Sequence, residues 1–284
     1  AMRDQLTSRV AEALLGRHDR DVALKLLQRP DAPLSAQTLL RLAEELGRCD
    51  PDIRGALLAR SDLPGAARLL LVEAVADALR GLRLVNGAIQ PKRLGRLLRN
   101  ATDTALTSIG ELAVIESGDG YVGALIEAER VSTRVMLHAI VNGHVMFFAD
   151  CVARLSELSR GKVFTILETG SRAAVNALLA RCGMKEGVRN LVARLVMHAR
   201  TADLADDVAA RHFVVTVLTE ELIVEHDGLI PAELEEAFNY LSEQNVALAR
   251  AAARGVMSAF AGTTDADRTM PVIEQDDRIA LPAA

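Results

Sequence analysis

Apolar residues recur three and four positions apart along most of the chain, and turn-forming residues separate these stretches. This spacing is typical of amphipathic α-helices, whose turns repeat every 3.6 residues. A strong stretch covers residues 66–81, and another follows Pro91 and places Leu94, Leu97 and Leu98 on one face. A cap-forming Ser171 precedes a third, and two further helices are predicted at residues 231–240 and 243–260. Breaks in the pattern fall at residues 86–87, 117–120, 142–143, 183 and 227–228. The pattern therefore predicts helices joined in pairs by short connections.

One run departs from this pattern. Residues 213–217, with the sequence FVVTV, are rich in β-formers and suit a strand by composition. Their Asp/Ala-rich and Glu-rich neighbours have helical sequence, which favours a buried helix instead. Aromatic residues make up only 3% of the chain and tryptophan is absent, whereas leucine and alanine dominate. This composition favours helices over a large β-sandwich.

A repeat of 31 residues occurs near the N-terminus. Residues 15–33 and 46–64 align without a gap and are identical at ten of nineteen positions. The shared pattern is L-G-R-x-D-x-D-[VI]-x-x-x-L-L-x-R-x-D-x-P. Internal repeats of this length are the signature of stacked helical units.

The repeat predicts a helix, a tight turn and a second helix in each unit. Gly16 and Gly47 suit the left-handed residue that ends a helix. Asp19 and Asp50 can accept hydrogen bonds from the free N–H groups that begin the next helix. The Asp-x-Pro ending stops that second helix, since proline fits only a first helical turn.

A two-helix unit of this size cannot bury its own apolar stripe, so neighbouring units must stack. The aspartate turn and the unit length favour HEAT-like repeats arranged in a curved, solenoid-like array. An ordinary helical bundle that contains one duplicated hairpin is the alternative.

The chain resembles a family of bacterial proteins of unknown function. The resemblance rests on the N-terminal R-x-D-x-P repeats, on residues 137–149 (LHAIVNGHVMFFA) and on residues 163–183. It covers most of residues 6–250. The family is found mainly in alphaproteobacteria and is expected to be HEAT-like, so the resemblance implies a helical repeat fold in the cytoplasm. It implies no activity and supplies no catalytic residue.

We expect three regions along the chain. Residues 1–120 would form the N-terminal HEAT-like repeats, and residues 121–260 a C-terminal helical repeat or bundle. Residues 261–284 are polar and unpatterned, which predicts a flexible tail.

The motifs of common catalytic and metal sites are absent from the sequence. There is no H-E-x-x-H, no paired cysteine spacing, no phosphate-binding glycine loop and no nucleophile elbow. The grouping of Glu225, His226 and Asp227 places three possible ligands on adjacent positions that point in different directions. We therefore expect no enzyme activity, no metal and no cofactor.

Charge and cysteine content bear on partners and compartment. A formal charge of -5 argues against general nucleic-acid binding, which needs a basic surface. Three scattered cysteines fit reduced thiols in the cytoplasm. No signal peptide is recognisable, and the most apolar window, residues 135–148, is too short and too polar to span a bilayer.

Two candidate sites remain. Lys92, Arg96 and Arg99 share one side of the helix after Pro91, which suits either contact with an anion or partner or a plain solvated face. His138 lies in a segment, HAIVNG, that loosely resembles the phosphoacceptor region of histidine phosphotransfer domains. The expected lysine is missing and the glycine falls one residue late, so a partly buried histidine at a helix contact is the other interpretation.

Taken together, the sequence predicts a non-enzymatic scaffold or adaptor that binds another protein, with its oligomeric state open. The alternatives are a HEAT-like nucleic-acid-binding protein and a phosphorelay protein that uses an exposed His138. The basic residues of one surface would decide the first alternative, and the burial of His138 the second.

Overall fold

The computed structural model describes residues 6–17, 19–115 and 120–266, and this part of the chain is helical without a strand. The helices are α1 Ser8–Leu15, α2 Arg20–Leu27, α3 Ala36–Leu42 with a π-helical turn Ala43–Gly47, α4 Pro51–Leu58, α5 Gly65–Gly81, α6 Arg83–Ala88, α7 Pro91–Ile115, α8 Gly120–Glu127, α9 Thr133–Val141, α10 Val145–Ser156, α11 Arg160–Thr169, α12 Arg172–Arg181, α13 Glu186–Ala199, α14 Val208–Glu225 and α15 Glu235–Ala266. None of them is long and apolar enough to cross a membrane. The prediction of an all-helical chain is confirmed for these residues.

Helix starts in the repeat follow the predicted aspartates. The Asp19 carboxylate accepts hydrogen bonds from the N–H groups of Asp21 and Val22 at the start of α2. Asp50 does the same at the start of α4. Because both caps satisfy N–H groups that have no partner within the helix, the two units begin their second helices alike. These caps are confirmed.

The prediction that Gly16 and Gly47 adopt the left-handed backbone conformation is wrong. Gly16 has a φ of -60°, and Gly47 belongs to the π-helical turn without a positive φ. A Cβ at Gly47 would lie 2.7 Å from Cδ2 of Leu71 and 3.2 Å from Cδ1 of Leu57. Gly47 is therefore small because α4 and α5 pack closely around it, and its backbone conformation places no demand on residue type.

Arginines join the two repeat units. Arg20 at the start of α2 pairs with Asp50 and Asp52 at the start of α4. Arg60, at the end of the second unit, donates to the carbonyl oxygens of Arg29 and Ala32 at the end of the first, both at 2.9 Å. α2 and α4 pack side by side between these two contacts.

Buried apolar side chains form two clusters that meet at α5. The first includes Leu27, Leu39 and Leu71, and the second begins with Leu69 and continues to Leu248. α5 thus contributes to both clusters. The domain boundary expected near residue 120 stays a prediction.

The second cluster is organised around α9. Its residues from Val135 to Val141 are all buried, because the helix packs against α7, α10, α13 and α15. A helix that is apolar all round belongs in the centre of a fold. α15 packs against both α14 and α9, which places it beside this central helix.

Three local predictions differ from the structure. Residues 86–87 lie within α6, and the break comes at Ile89, which is extended just before Gln90 and Pro91. Proline disfavours helical conformation in the residue before it, which places the break there. The helices predicted at 231–240 and 243–260 are one helix, α15, because no glycine or proline separates them. α15 also extends six residues into the tail predicted from 261, and residues 267–284 lie outside the described chain.

Candidate partner-binding surface

The three predicted cations lie exposed on the first half of α7. Lys92, Arg96 and Arg99 fall within about 60° of one another, at about 100° per residue. Leu94 and Leu98 on the other side are buried, as predicted. Leu97, which was predicted to share that buried face, is 47% exposed instead. The first half of α7 therefore offers both charge and an apolar side chain to solvent.

The structure places further cations beside these three. α6 packs against both α5 and α7 and brings Arg83 to the same corner, and Arg93 lies on α7 itself. Residues 78–102 contain six lysine or arginine residues and no aspartate or glutamate. Because this segment is positively charged, the excess of acidic over basic residues lies entirely in the rest of the chain.

Five of these cations make no ion pair with any described carboxylate. They are Arg83, Lys92, Arg93, Arg96 and Arg99. The sixth, Arg80, pairs with Asp77. Unpaired arginines on one corner of an acidic protein generate a local positive potential that favours an anionic partner.

Apolar side chains are exposed among the cations. Leu84 on α6 is 87% exposed, and Leu82 just before it is 50% exposed. Together with Leu97 they make three exposed leucines that alternate with the arginines along this part of the chain. We call the exposed residues from Leu79 to Arg99 the basic–leucine surface. Exposed apolar groups of this kind mark binding surfaces when they lie together.

The same side of α7 becomes buried one turn later. Asp103 follows Arg99 by four residues, is 7% exposed, and binds Arg134 of α9 at 2.6 Å. Arg134 also binds Glu243 of α15 at 2.9 Å and lies over the ring of Tyr240. Burial raises the pKa of Asp103 despite this partner. The basic–leucine surface therefore ends where α9 begins to cover α7.

His138 lies within that covered region. It is 3% exposed, its Nε2 lies 3.1 Å from Oγ1 of Thr104, and its Nδ1 lies 3.1 Å from the hydroxyl of Tyr240. Burial, with smaller effects from His144 and Arg134, lowers its pKa to about 4. A phosphoacceptor histidine must be exposed to solvent and must have a ring nitrogen without a hydrogen-bond partner. His138 meets neither requirement. His138 is instead a buried histidine that joins α7, α9 and α15.

Other groups that could carry chemistry are dispersed. In the described residues no group of three His, Cys, Asp or Glu side chains is placed to hold a metal ion. Glu225, His226 and Asp227 therefore do not form such a group. His18 lies outside these residues. Burial raises the pKa of the Cys182 thiol to about 11 and that of Cys151 further, which keeps both protonated at neutral pH.

One cavity of about 500 Å³ lies between the end of the repeat and α7–α8. Three of its polar lining groups already have partners within the protein. Arg60 and Arg68 donate to backbone carbonyl oxygens, and the Tyr121 hydroxyl donates to the carbonyl oxygen of Leu106. These groups hold the wall of the cavity in place.

A family model of uncharacterised proteins conserved in bacteria, DUF2336, matches residues 1–225. The chain belongs to this family. The matched region contains the repeat and the basic–leucine surface, whereas α15 lies beyond it. No curated protein and no solved structure matches the chain. The resemblance to a bacterial family of unknown function is confirmed.

Sequence reasoning found three members of the basic–leucine surface and missed the others. The acid-free run from residue 78 to residue 102 was visible in the sequence and would have indicated Arg83 and Arg93. The exposed leucines had no such signal, because leucine in a helical pattern is normally assigned to a core.

Proposed function

We propose that the protein is a non-catalytic, HEAT-like scaffold that binds a partner protein through the basic–leucine surface. The single observation that carries this proposal is the acid-free run of six cations with exposed leucines on one corner of a chain whose net charge is -5. The partner segment it suits is acidic and bears apolar side chains.

The repeat supports the scaffold part of the proposal. Two equivalent units stack through α2 and α4 and are linked at both ends by Arg20 and Arg60. Units that repeat their caps and their links in this way are how solenoid proteins build an extended surface. The step from this arrangement to partner binding is an analogy with such proteins.

The leucines favour a protein partner over nucleic acid. Phosphates would be met by the arginines alone, and a leucine that is 87% exposed gains nothing from a phosphate backbone. A protein partner can bury both, and arginine with large apolar residues is the composition that protein interfaces favour. All three cysteines are free thiols, which is consistent with a cytoplasmic setting.

The test is comparative capture from a nuclease-treated bacterial lysate at low salt. The binding variant is Lys92→Glu with Arg96→Glu and Arg99→Glu. The control is Lys162→Glu with Arg172→Glu and Lys185→Glu, three exposed cations elsewhere with the same change in charge. We expect a protein that the wild type and the control retain and that the binding variant loses.

That protein is then purified and titrated against all three forms at two salt concentrations. Binding that weakens at least about tenfold in the binding variant and weakens with salt supports the proposal. Equal capture by all forms overturns it. A protein that is retained from a parallel untreated lysate but not from the nuclease-treated one also overturns it, in favour of nucleic-acid binding.

A further inference from the structure

The last two helices expose a second apolar surface of opposite charge. Residues 212–249 contain eight aspartate or glutamate residues and no lysine or arginine. On α14, Phe213, Val217, Glu220 and Val224 fall within about 60° of one another and span about 16 Å. We call these four residues the acidic–apolar row. Phe213 is 66% exposed and Val224 is 76% exposed, so the row is open to solvent.

The negative charge around this row is only partly neutralised. Glu221 and Glu225 share one cation, Arg194, at 3.3 Å and 2.8 Å. Glu220, within the row, makes no ion pair with a described residue. Two carboxylates for one guanidinium, with a third unpaired, leave a net negative charge beside the exposed Phe213 and Val224.

The chain therefore carries two surfaces that complement one another. One offers unpaired arginines between leucines, and the other offers glutamates beside exposed phenylalanine and valine. We propose that the basic–leucine surface of one copy binds the acidic–apolar row of a second copy, head to tail. This inference rests on the proposed function, and it names the partner as the protein itself.

The charge pattern selects a second copy in this orientation. Two basic–leucine surfaces would repel each other, and so would two acidic–apolar rows, which disfavours a twofold contact through either surface. A contact between two different surfaces leaves one of each free at the ends, so association continues into short chains or closes into a ring. Opposite charges at the contact also make it sensitive to salt.

Two variants of the full chain test this proposal, one for each surface. The first is Lys92→Glu with Arg96→Glu and Arg99→Glu. The second is Phe213→Ser with Glu220→Ser and Val224→Ser, which removes the row without creating a positive surface. Mass is measured by light scattering over a concentration series at low and high salt, and circular dichroism verifies that each variant is folded. The triple variant at Lys162, Arg172 and Lys185 is the control.

We expect the wild type and the control to associate at low salt and to dissociate at high salt. Each surface variant alone should stay monomeric, with association at least about tenfold weaker. An equimolar mixture of the two should form one-to-one pairs, because each supplies the surface that the other has lost. Reconstitution of this kind requires both variants to be folded.

A wild type that stays monomeric throughout the series overturns the inference. So does association that either surface variant retains, or a mixture of folded variants that does not pair. In each case the capture experiment can still identify a different acidic partner, so failure of self-association and failure of the proposed function are distinguishable.

Discussion

Replacing Arg60 by alanine should destabilise the repeat more than any exposed arginine substitution. The Arg60 side chain is 3% exposed and donates to two backbone carbonyl oxygens of the preceding unit, those of Arg29 and Ala32. It also binds both oxygens of Asp62, at 2.8 Å and 2.7 Å. Alanine would leave the two carbonyl groups without this donor, at about 1–3 kcal/mol for each one that stays buried and unsatisfied. We expect a total loss of about 3–5 kcal/mol, which includes the packing of the arginine stem.

The measurement is the free energy of unfolding from urea titration of the full chain. Arg20→Ala is the matched control, because Arg20 also links the two units but is 48% exposed. Solvent screens exposed ion pairs and leaves them little net contribution, so this control should lose far less stability than Arg60→Ala. Arg60→Lys should lie between the two, since an ammonium cannot reproduce the planar set of donors. A loss below about 1 kcal/mol for Arg60→Ala would refute the assignment of Arg60 as the link between units.

Two further predictions concern stability. The pKa of His138 is lowered to about 4 in the folded state, so the unfolded state binds the proton first as pH falls. The free energy of unfolding should therefore fall as pH drops from about 6.5 towards 4. Urea titrations at several pH values should show a weaker pH dependence of this free energy in His138→Gln, and an unchanged pH dependence would contradict the assignment. Gly47→Ala should cost about 1–3 kcal/mol through its clash with Leu71, whereas Gly55→Ala, on α4 with open space around its Cβ, should stabilise by about 0.5–1 kcal/mol. Thermal denaturation of these two variants provides the comparison, and equal effects would show that packing around Gly47 is looser than the structure indicates.

Only part of the candidate surface could be predicted from the sequence. Lys92, Arg96 and Arg99 were predicted because helical periodicity is local and places them on one side of α7. Leu97 was assigned to the core on the same grounds and is exposed, because no helix of the described residues covers that side of the first half of α7. Which side of a helix is covered depends on elements distant in the chain, and periodicity alone does not identify them.

The 31-residue repeat is visible in the sequence alone. The helices and the aspartate caps of α2 and α4 also follow from it, since these depend on neighbours within a few residues. Roles that need distant partners follow only from how the helices pack together. Gly47 must be glycine because a Cβ there would clash with Leu71, and Arg60 donates to carbonyl groups about thirty residues earlier in the chain. His138 meets Tyr240 from 102 residues away. Such contacts depend on how whole helices pack. The burial of His138 and the exposure of Leu97 are therefore known only from the folded structure.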